Sequence, residues 1–427
     1  METLTIANGD IYTPKHYGQG HIVIQDDTIS EITKDTPQPS GKVIDASNCL
    51  VIPGLIDGLV HGGGGYGTMT GKVEDVAAIA RAHARSGVTS LVLGISSGSM
   101  EQINSSLTAI ADVVDAPVAD GSRIIGSYVE GKFGSLAKNG AQNAKYITPP
   151  NFEEFHAMWA ASDGTLKVIS LAPENDENFQ FIKHLAAFRT DAYNDIVIAM
   201  GHTNATYQQA MAAIDAGVTR ATHTYNGMSG MHHRTLGAIE AVLSHPDIHA
   251  ELIIDEHHVH PFWGHHLIQQ KGVDAIGLIT DCTELAGVPT EEWQASATYV
   301  PELDAYRLNE DAISEHDTAF EAGTTEKYVR NGAMWLDVGT PTERLAGATI
   351  TLMDGVRNVI NWGNSLEAAL TMATLTPAEN LGIATSVGSI ATGKTADLVI
   401  VDTNLSVRTV ILRGKPLKDH SISHKSF

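Results

Sequence analysis

Short apolar runs of strand length recur through the middle of the chain, and most are followed by an apolar pattern of helical period. The clearest unit lies between Asp195 and Asn226. Ile196 to Ala199 reads as a strand that stops at Gly201-His202. Ala210, Ala213 and Ile214 then mark one face of a helix closed by Gly217, and Thr219 to Thr222 reads as a second strand that stops at His223. Strand, helix and strand within about thirty residues is the size of one parallel crossover. Eight such strands are expected. The first leads through Pro53-Gly54-Leu55-Ile56-Asp57 to His61, and the next three are Thr89 to Ile95, Arg123 to Val129 and Leu166 to Leu171. The pair above supplies the fifth and sixth. Ala250 to Ile254, ending at Asp255, and Ala275 to Thr280, ending at Asp281, complete the set. Helices over Val73 to Ala84, Met100 to Val113 and Phe152 to Ala161 fill gaps between strands. Eight βα units predict an α/β fold, a TIM (β/α)8 barrel.

The two ends of the chain have a different texture. Thr3 to Ala7, His21 to Gln25, Ser30 to Thr33 and Cys49 to Ile52 read as short strands between turns, as do Ala396 to Asp402 and Val407 to Gly414. Neither end is long enough to bury a core alone. Residues 1–52 and 385–427 are therefore expected to join into one small β-sandwich domain beside a barrel domain over 53–384. Residues 282–346 break the βα rhythm. They are acidic, with Glu291-Glu292, Glu302, Asp304, Glu310 and Asp311, and read as a lid or substrate loop at the active face. Leu366 to Thr374 then reads as a helix, and Thr376 to Gly382 returns the chain to the β domain.

A formal net charge of −23 argues against a nucleic-acid partner and against an anionic membrane surface. Any anionic substrate must then meet a local positive site. Cys49 and Cys282 form neither a ligand-spaced pair nor a disulfide framework, which suits a reducing compartment. With no leader-like start and no run long enough to span a bilayer, a cytoplasmic location is expected.

The polar residues that end the strands carry the chemistry. They are His61 (first), Glu130 (third), His202 (fifth), His223 (sixth) and Asp281 (eighth), on the face where barrels hold their active sites. Two neutral imidazoles and a carboxylate suit one Zn²⁺ or Fe²⁺, with a position left open for water. Such an ion lowers the pKa of water toward neutrality. A carboxylate beyond the ligands, Asp281, is placed to take the proton and later return it to a leaving amine.

Finer motifs carry a resemblance. Val129-Glu130-Gly131, Leu171-Ala172-Pro173-Glu174, Thr222-His223-Thr224-Tyr225-Asn226-Gly227-Met228, His257-His258-Val259 and Leu345-Ala346-Gly347-Ala348, with the PGLID run and the Thr280-Asp281 end, resemble the N-acetylglucosamine-6-phosphate deacetylase family of the amidohydrolase superfamily. The resemblance spans nearly the whole chain and is weakest from Val288 to Glu343. It implies that Glu130, His202 and His223 hold one divalent metal ion per chain and that Asp281 is the general base and acid. It also implies that Asn226, the Gly227 backbone, Arg234 and His258 meet a small amino-sugar phosphate, and that the protein is a homodimer.

Three departures from the family pattern stand out. Its His-x-His after the first strand is Leu59-Val60-His61 here, so a two-metal site is not expected; His61 is either a contact to ligand or substrate or simply a satisfied polar residue. Its Glu-Gly-Pro is Glu130-Gly131-Lys132, which puts a cation next to the ligand in sequence. Its carbonyl-polarising histidine falls at Gln142, within Gly140-Ala141-Gln142-Asn143, and an amide donates but carries no charge. The activity expected is metal-dependent hydrolysis of the acetamide of an N-acetyl amino-sugar phosphate. The alternatives are another amide hydrolase, for instance on N-acyl amino acids, and a barrel that binds the sugar phosphate with little turnover.

Overall fold

The computed structural model describes residues 2–36, 41–188, 196–309 and 326–417. Its centre is a parallel barrel of eight strands in sequence order: Leu55–Val60, Val88–Ile95, Arg123–Phe133, Leu166–Leu171, Val197–Met200, Arg220–Ala221, His249–Ile253 and Ile276–Ile279. Among the described residues, the first and eighth strands pair through their backbones only at the carboxyl rim. Val60 bridges Cys282 there, the Asp281 N–H donates to the Leu59 carbonyl at 3.0 Å, and the His61 N–H donates to Cys282 at 2.9 Å. Closure of the barrel and convergence of its polar residues thus occur at the same place.

These strands are covered on both faces, which is why they read as continuous apolar runs rather than alternating ones. Inside the barrel, Ile56, Leu59, Val92, Tyr128, Ile253 and Ile279 pack together. Residues of the opposite face pack against the surrounding helices, as Leu91, Val129 and Ile169 do in the larger core. The stretch expected to lead straight back to the β domain instead forms a helix, Leu375–Asn380, and Ala378 and Leu381 join the interior core of the barrel. The fifth βα unit shows the local logic. Thr206 caps its helix, Tyr207–Ala216, in a reciprocal box with Gln209, and Gly217 ends it at φ 134°. The third strand runs further than its apolar pattern suggests, so that Glu130 lies inside it. A carboxylate in mid-strand looks like a strand end in sequence, but here its charge is met by side chains from across the barrel.

The two chain ends share one eight-stranded sheet. Its strands are Thr3–Tyr12, His16–Gln25, Thr28–Thr33, Lys42–Asp45, Leu50–Pro53, Leu398–Val401, Val407–Leu412 and Lys415–Pro416. Thr3–Tyr12 pairs with Lys42–Asp45 through Leu4 to Ala7 and with Leu50–Pro53 through Asp10 and Ile11. The sheet branches at that point around a core of Ile6, Ile22, Ile24, Val51, Leu398 and Ile411.

The described residues of 282–346 are not a loop. After the helix Thr290–Ala295 they form an antiparallel meander of Ala297–Val300, Ala305–Leu308, Lys327–Arg330, Ala333–Leu336 and Arg344–Ala348. Strands of four or five residues are too short for an alternation to announce them, while Leu285, Leu308, Val329 and Met334 form a small core of their own. Glu310 and Asp311 lie outside the described residues.

One arginine ties the sheet to the barrel. The Arg413 guanidinium donates to the carbonyls of Val118 and Ala119 at 2.9 Å and reaches Gly121 at 3.3 Å, on the loop that enters the third barrel strand. Charge-assisted bonds of this kind contribute about 1.5–3 kcal/mol. Arg413→Ala is expected to lower unfolding free energy by that amount in chemical denaturation while leaving the specific activity of folded protein unchanged. A loss of activity without loss of stability would contradict a purely structural role.

Candidate metal centre and active site

The barrel brings Glu130, inside its third strand, and the histidines that follow its fifth and sixth strands to one point. Glu130 Oε1 lies 2.8 Å from His202 Nε2 and 2.8 Å from His223 Nε2, and the two nitrogens are 3.2 Å apart. His61 approaches from the other side, its Nε2 2.9 Å from Glu130 Oε2 and 3.3 Å from Asp281 Oδ1. The His61 ring lies flat against the second strand, where a Cβ on Gly94 would sit 2.6 Å from its Cε1. His202, His223 and Asp281 all have left-handed backbone, with φ of 45°, 29° and 48°. For residues other than glycine that conformation costs on the order of 1–3 kcal/mol, and it concentrates at functional sites. Glu174, from the Leu171-Ala172-Pro173-Glu174 motif, pins the turn after His202 by accepting from the Thr203 hydroxyl and the Asn204 N–H.

Burial opposes the charge on Glu130, yet hydrogen bonds from His202, His223 and His61 hold its carboxyl well below the usual range. Burial likewise opposes a charged His61, but Asp281 and Glu130 outweigh it and raise the ring to about 10; Glu130 raises His223 to about 9 against the same penalty. The tautomers indicate what fits between these groups. His202 Nδ1 lies 2.8 Å from the Lys138 carbonyl and must donate to it. In the neutral ring, Nε2 then presents a lone pair to a carboxylate oxygen at 2.8 Å. Two acceptors face each other at hydrogen-bond distance, an arrangement that needs a proton or a cation between them. A divalent ion satisfies Glu130, His202 and His223 together, and this donor set suits one. His61, Glu130 and Asp281 form a second, overlapping group of donors. That group is already satisfied from within, because His61 Nε2 donates to carboxylate oxygen and its Nδ1 meets Ser96 Oγ at 3.2 Å. Leu59 is fully buried in the barrel interior and offers no ligand.

Around this cluster is a cavity of about 260 Å³. Of the residues expected at a substrate, His61, Gln142, Asn226, Gly227 and His258 line it. Asp255 accepts from His258 Nδ1 at 2.6 Å, which leaves Nε2 as the ring nitrogen not engaged by Asp255. His260 instead caps the helix Pro261–Lys271. Two expectations change. Gln142 is not a free donor: its Nε2 donates to Glu130 Oε2 at 2.9 Å and its Oε1 accepts from the Ser97 N–H at 2.7 Å. It clamps the carboxylate, and Gly131, at φ 79°, gives it room, since a Cβ there would meet Gln142 Cδ at 2.3 Å. Arg234 does not reach the cavity of its own chain. It is exposed on the loop after the sixth strand, its Nη1 2.6 Å from His233 Nε2. Lys132, the cation beside the ligand in sequence, points away and pairs with Glu154 at 2.9 Å.

The cavity also holds residues that sequence reasoning missed. Arg344 and Glu284 line it, both from the meander side. Glu284 is paired with Lys327 at 3.2 Å, and Arg344 Nη1 is anchored on Asp337 Oδ2 at 2.8 Å and on the Thr342 carbonyl at 3.0 Å. The signal was present, because Arg344 directly precedes the Leu345-Ala346-Gly347-Ala348 motif.

Comparison with known proteins agrees with this geometry. N-acetylglucosamine-6-phosphate deacetylase of Vibrio furnissii is 31% identical over 412 residues, 96% of this chain and 94% of that protein. N-acetylgalactosamine-6-phosphate deacetylase of Escherichia coli O157:H7 is 31% identical over 86% of this chain and 87% of its own length. The solved structure of a variant of the Mycobacterium smegmatis N-acetyl-D-glucosamine-6-phosphate deacetylase, in complex with N-acetyl-D-glucosamine-6-phosphate, superimposes with a TM-score of 0.81 at 27% identity, covering 97% of this chain and 99% of that one. The sequence profile of the amidohydrolase family matches residues 50–417. With that span and those strand-end donors, the chain belongs to the amidohydrolase family.

Proposed function

We propose that this protein hydrolyses the acetamide of N-acetylglucosamine 6-phosphate, or of a close N-acetyl amino-sugar phosphate, to acetate and the amino-sugar phosphate. The observation that carries the reading is the Glu130–His202–His223 donor set with Asp281 beside it, in a cavity that also holds a guanidinium. A divalent ion held by the three donors, Zn²⁺ or Fe²⁺, would supply Lewis acidity toward the amide oxygen and lower the pKa of an attacking water. Gln142 keeps Glu130 oriented for that ion. Asp281 takes a proton from the water as its oxygen bonds to the acetyl carbon, then delivers it to the departing nitrogen, so that the C–N bond breaks to a free amine. His61, between Asp281 and Glu130, holds the Asp281 carboxylate in place. Asn226, the Gly227 backbone, His258 and Arg344 bind the sugar phosphate, and the planar donor fork of arginine suits a phosphate. The reading includes a cytoplasmic homodimer without a nucleic-acid partner and a chain divided into 53–384 and the joined ends 1–52 and 385–427. Among the described residues, no helix is long and apolar enough to cross a membrane.

Protein purified without added metal is expected to carry one divalent ion per chain by elemental analysis. His202→Ala should lose it and His61→Ala largely retain it; two tightly held ions per chain would overturn the assignment. Asp281→Asn keeps shape and removes the base. It should lower kcat by at least roughly 10²-fold with metal retained, and near-normal turnover would take Asp281 out of the mechanism.

Two charge-assisted hydrogen bonds to the phosphate, at about 1.5–3 kcal/mol each, correspond to roughly 10²- to 10⁴-fold in kcat/KM. The phosphorylated N-acetyl sugar should therefore exceed the free sugar by at least about a hundredfold. Arg344→Ala is expected to remove tenfold or more of that gap (about 1.4 kcal/mol) while sparing the slow reaction on the free sugar. Arg234→Ala, measured alongside, assigns the contact: the variant that loses the discrimination marks the cation that meets the phosphate. Equal kcat/KM for the two sugars in the wild type would favour an N-acyl amino acid substrate.

A further inference from the structure

We propose that Glu251, held in place by Arg220, is a positioning residue for His223, fixing the backbone at that strand end from inside the barrel. A charge lies in an unusual place. Arg220 lies in the sixth barrel strand and is 1% exposed, the largest fully buried side chain among the described residues. Its Nη1 pairs with Glu251 Oε1 at 2.9 Å, and its Nε and Nη2 both donate to Asn380 Oδ1, the former at 2.7 Å. Asn380 ends the helix that adds Ala378 to the interior core of the barrel. A buried ion pair like this is weak evidence for stability, because apolar residues of similar size often do as well. Its presence calls for another account.

The free carboxylate oxygen supplies one. Glu251 Oε2 accepts the backbone N–H of His223 at 3.3 Å, and the Glu251 backbone carbonyl accepts the next N–H, from Thr224, at 2.8 Å. One residue of the seventh strand thus receives both amides of the turn that carries His223. Tyr128 steadies the arrangement. Its hydroxyl lies 3.3 Å from the same Oε2 and 2.8 Å from Thr222 Oγ1, which in turn meets Ser170 Oγ at 2.8 Å. His223 needs this support because its backbone is left-handed, at φ 29°, and because its buried Nδ1 has no partner among the described residues. Metal-binding histidines are commonly aimed by a bond at their second nitrogen. Here the aim is set through the main chain instead.

The test removes the charge pair without leaving either partner stranded. Arg220→Met with Glu251→Leu deletes the acceptor. Arg220→Met with Glu251→Gln keeps a neutral oxygen in the same place and serves as the rescue. Two readouts are taken on folded protein. In the metal-free state, hydrogen exchange of the peptide containing His223 and Thr224 should quicken about tenfold or more in the Leu pair and stay at the wild-type rate in the Gln pair. Co²⁺ affinity, measured against a chelator together with the visible spectrum, should fall about 10- to 100-fold with a changed spectrum in the Leu pair and recover in the Gln pair. Wild-type exchange and affinity in the Leu pair would overturn the proposal. So would equal losses in both pairs, which would mean that the charge, not the acceptor, matters. The Co²⁺ arm rests on the metal reading above. Should the wild type bind no Co²⁺, that reading fails, and the exchange arm still decides this one.

Discussion

A buried carboxylate without compensation is among the costliest groups a protein interior can hold. Glu130, 2% exposed and set in mid-strand, would be such a group. Much of the architecture at the carboxyl rim answers that single charge. Three imidazoles come to it from strands one, five and six, and an amide comes from the loop after strand three. Two of those histidines accept a left-handed backbone to get there. The barrel seam closes at the residues flanking His61 and Asp281, so the geometry of the sheet and of the charge cluster is set together. Once the carboxylate is in place, the remaining lone pairs leave room for a cation and little else.

What the sequence revealed, and what it hid, follows from the range of the interactions. Barrel strands are buried on both faces, so each announces itself as a local apolar run, and the polar residue that ends the run marks the rim. His202, His223 and Asp281 could be found that way. Glu130 was found too, although its strand continues past it to Phe133, because the compensating histidines are distant in sequence. The meander stayed hidden because its strands are only four or five residues long, too short for an alternation to stand out. Arg344 was passed over with it, although it directly precedes the Leu345-Ala346-Gly347-Ala348 motif.

The roles of Gln142 and Lys132 turned on direction rather than identity. Sequence placed Lys132 beside Glu130 and Gln142 at the substrate carbonyl, yet the amide is consumed by Glu130 and Ser97, and the ammonium faces Glu154. The Arg220–Glu251 pair could not be read at all. It joins neighbouring strands whose pairing register is a property of the closed barrel, and its third member, Asn380, lies 160 positions further on.

The shared sheet of the two chain ends also governs the order in which the protein can be completed. Leu50–Pro53 has Thr3–Tyr12 along part of one edge, but its other edge is filled by Leu398–Val401. During synthesis, every barrel strand leaves the ribosome before that partner exists. The early strands must therefore wait, with backbone donors and acceptors uncovered, through the making of the whole barrel. An open strand edge is a template for any passing chain, and contacts this distant in sequence form slowly. The segment that looks most settled in the finished molecule is thus the one exposed longest to mispairing while the molecule is being made.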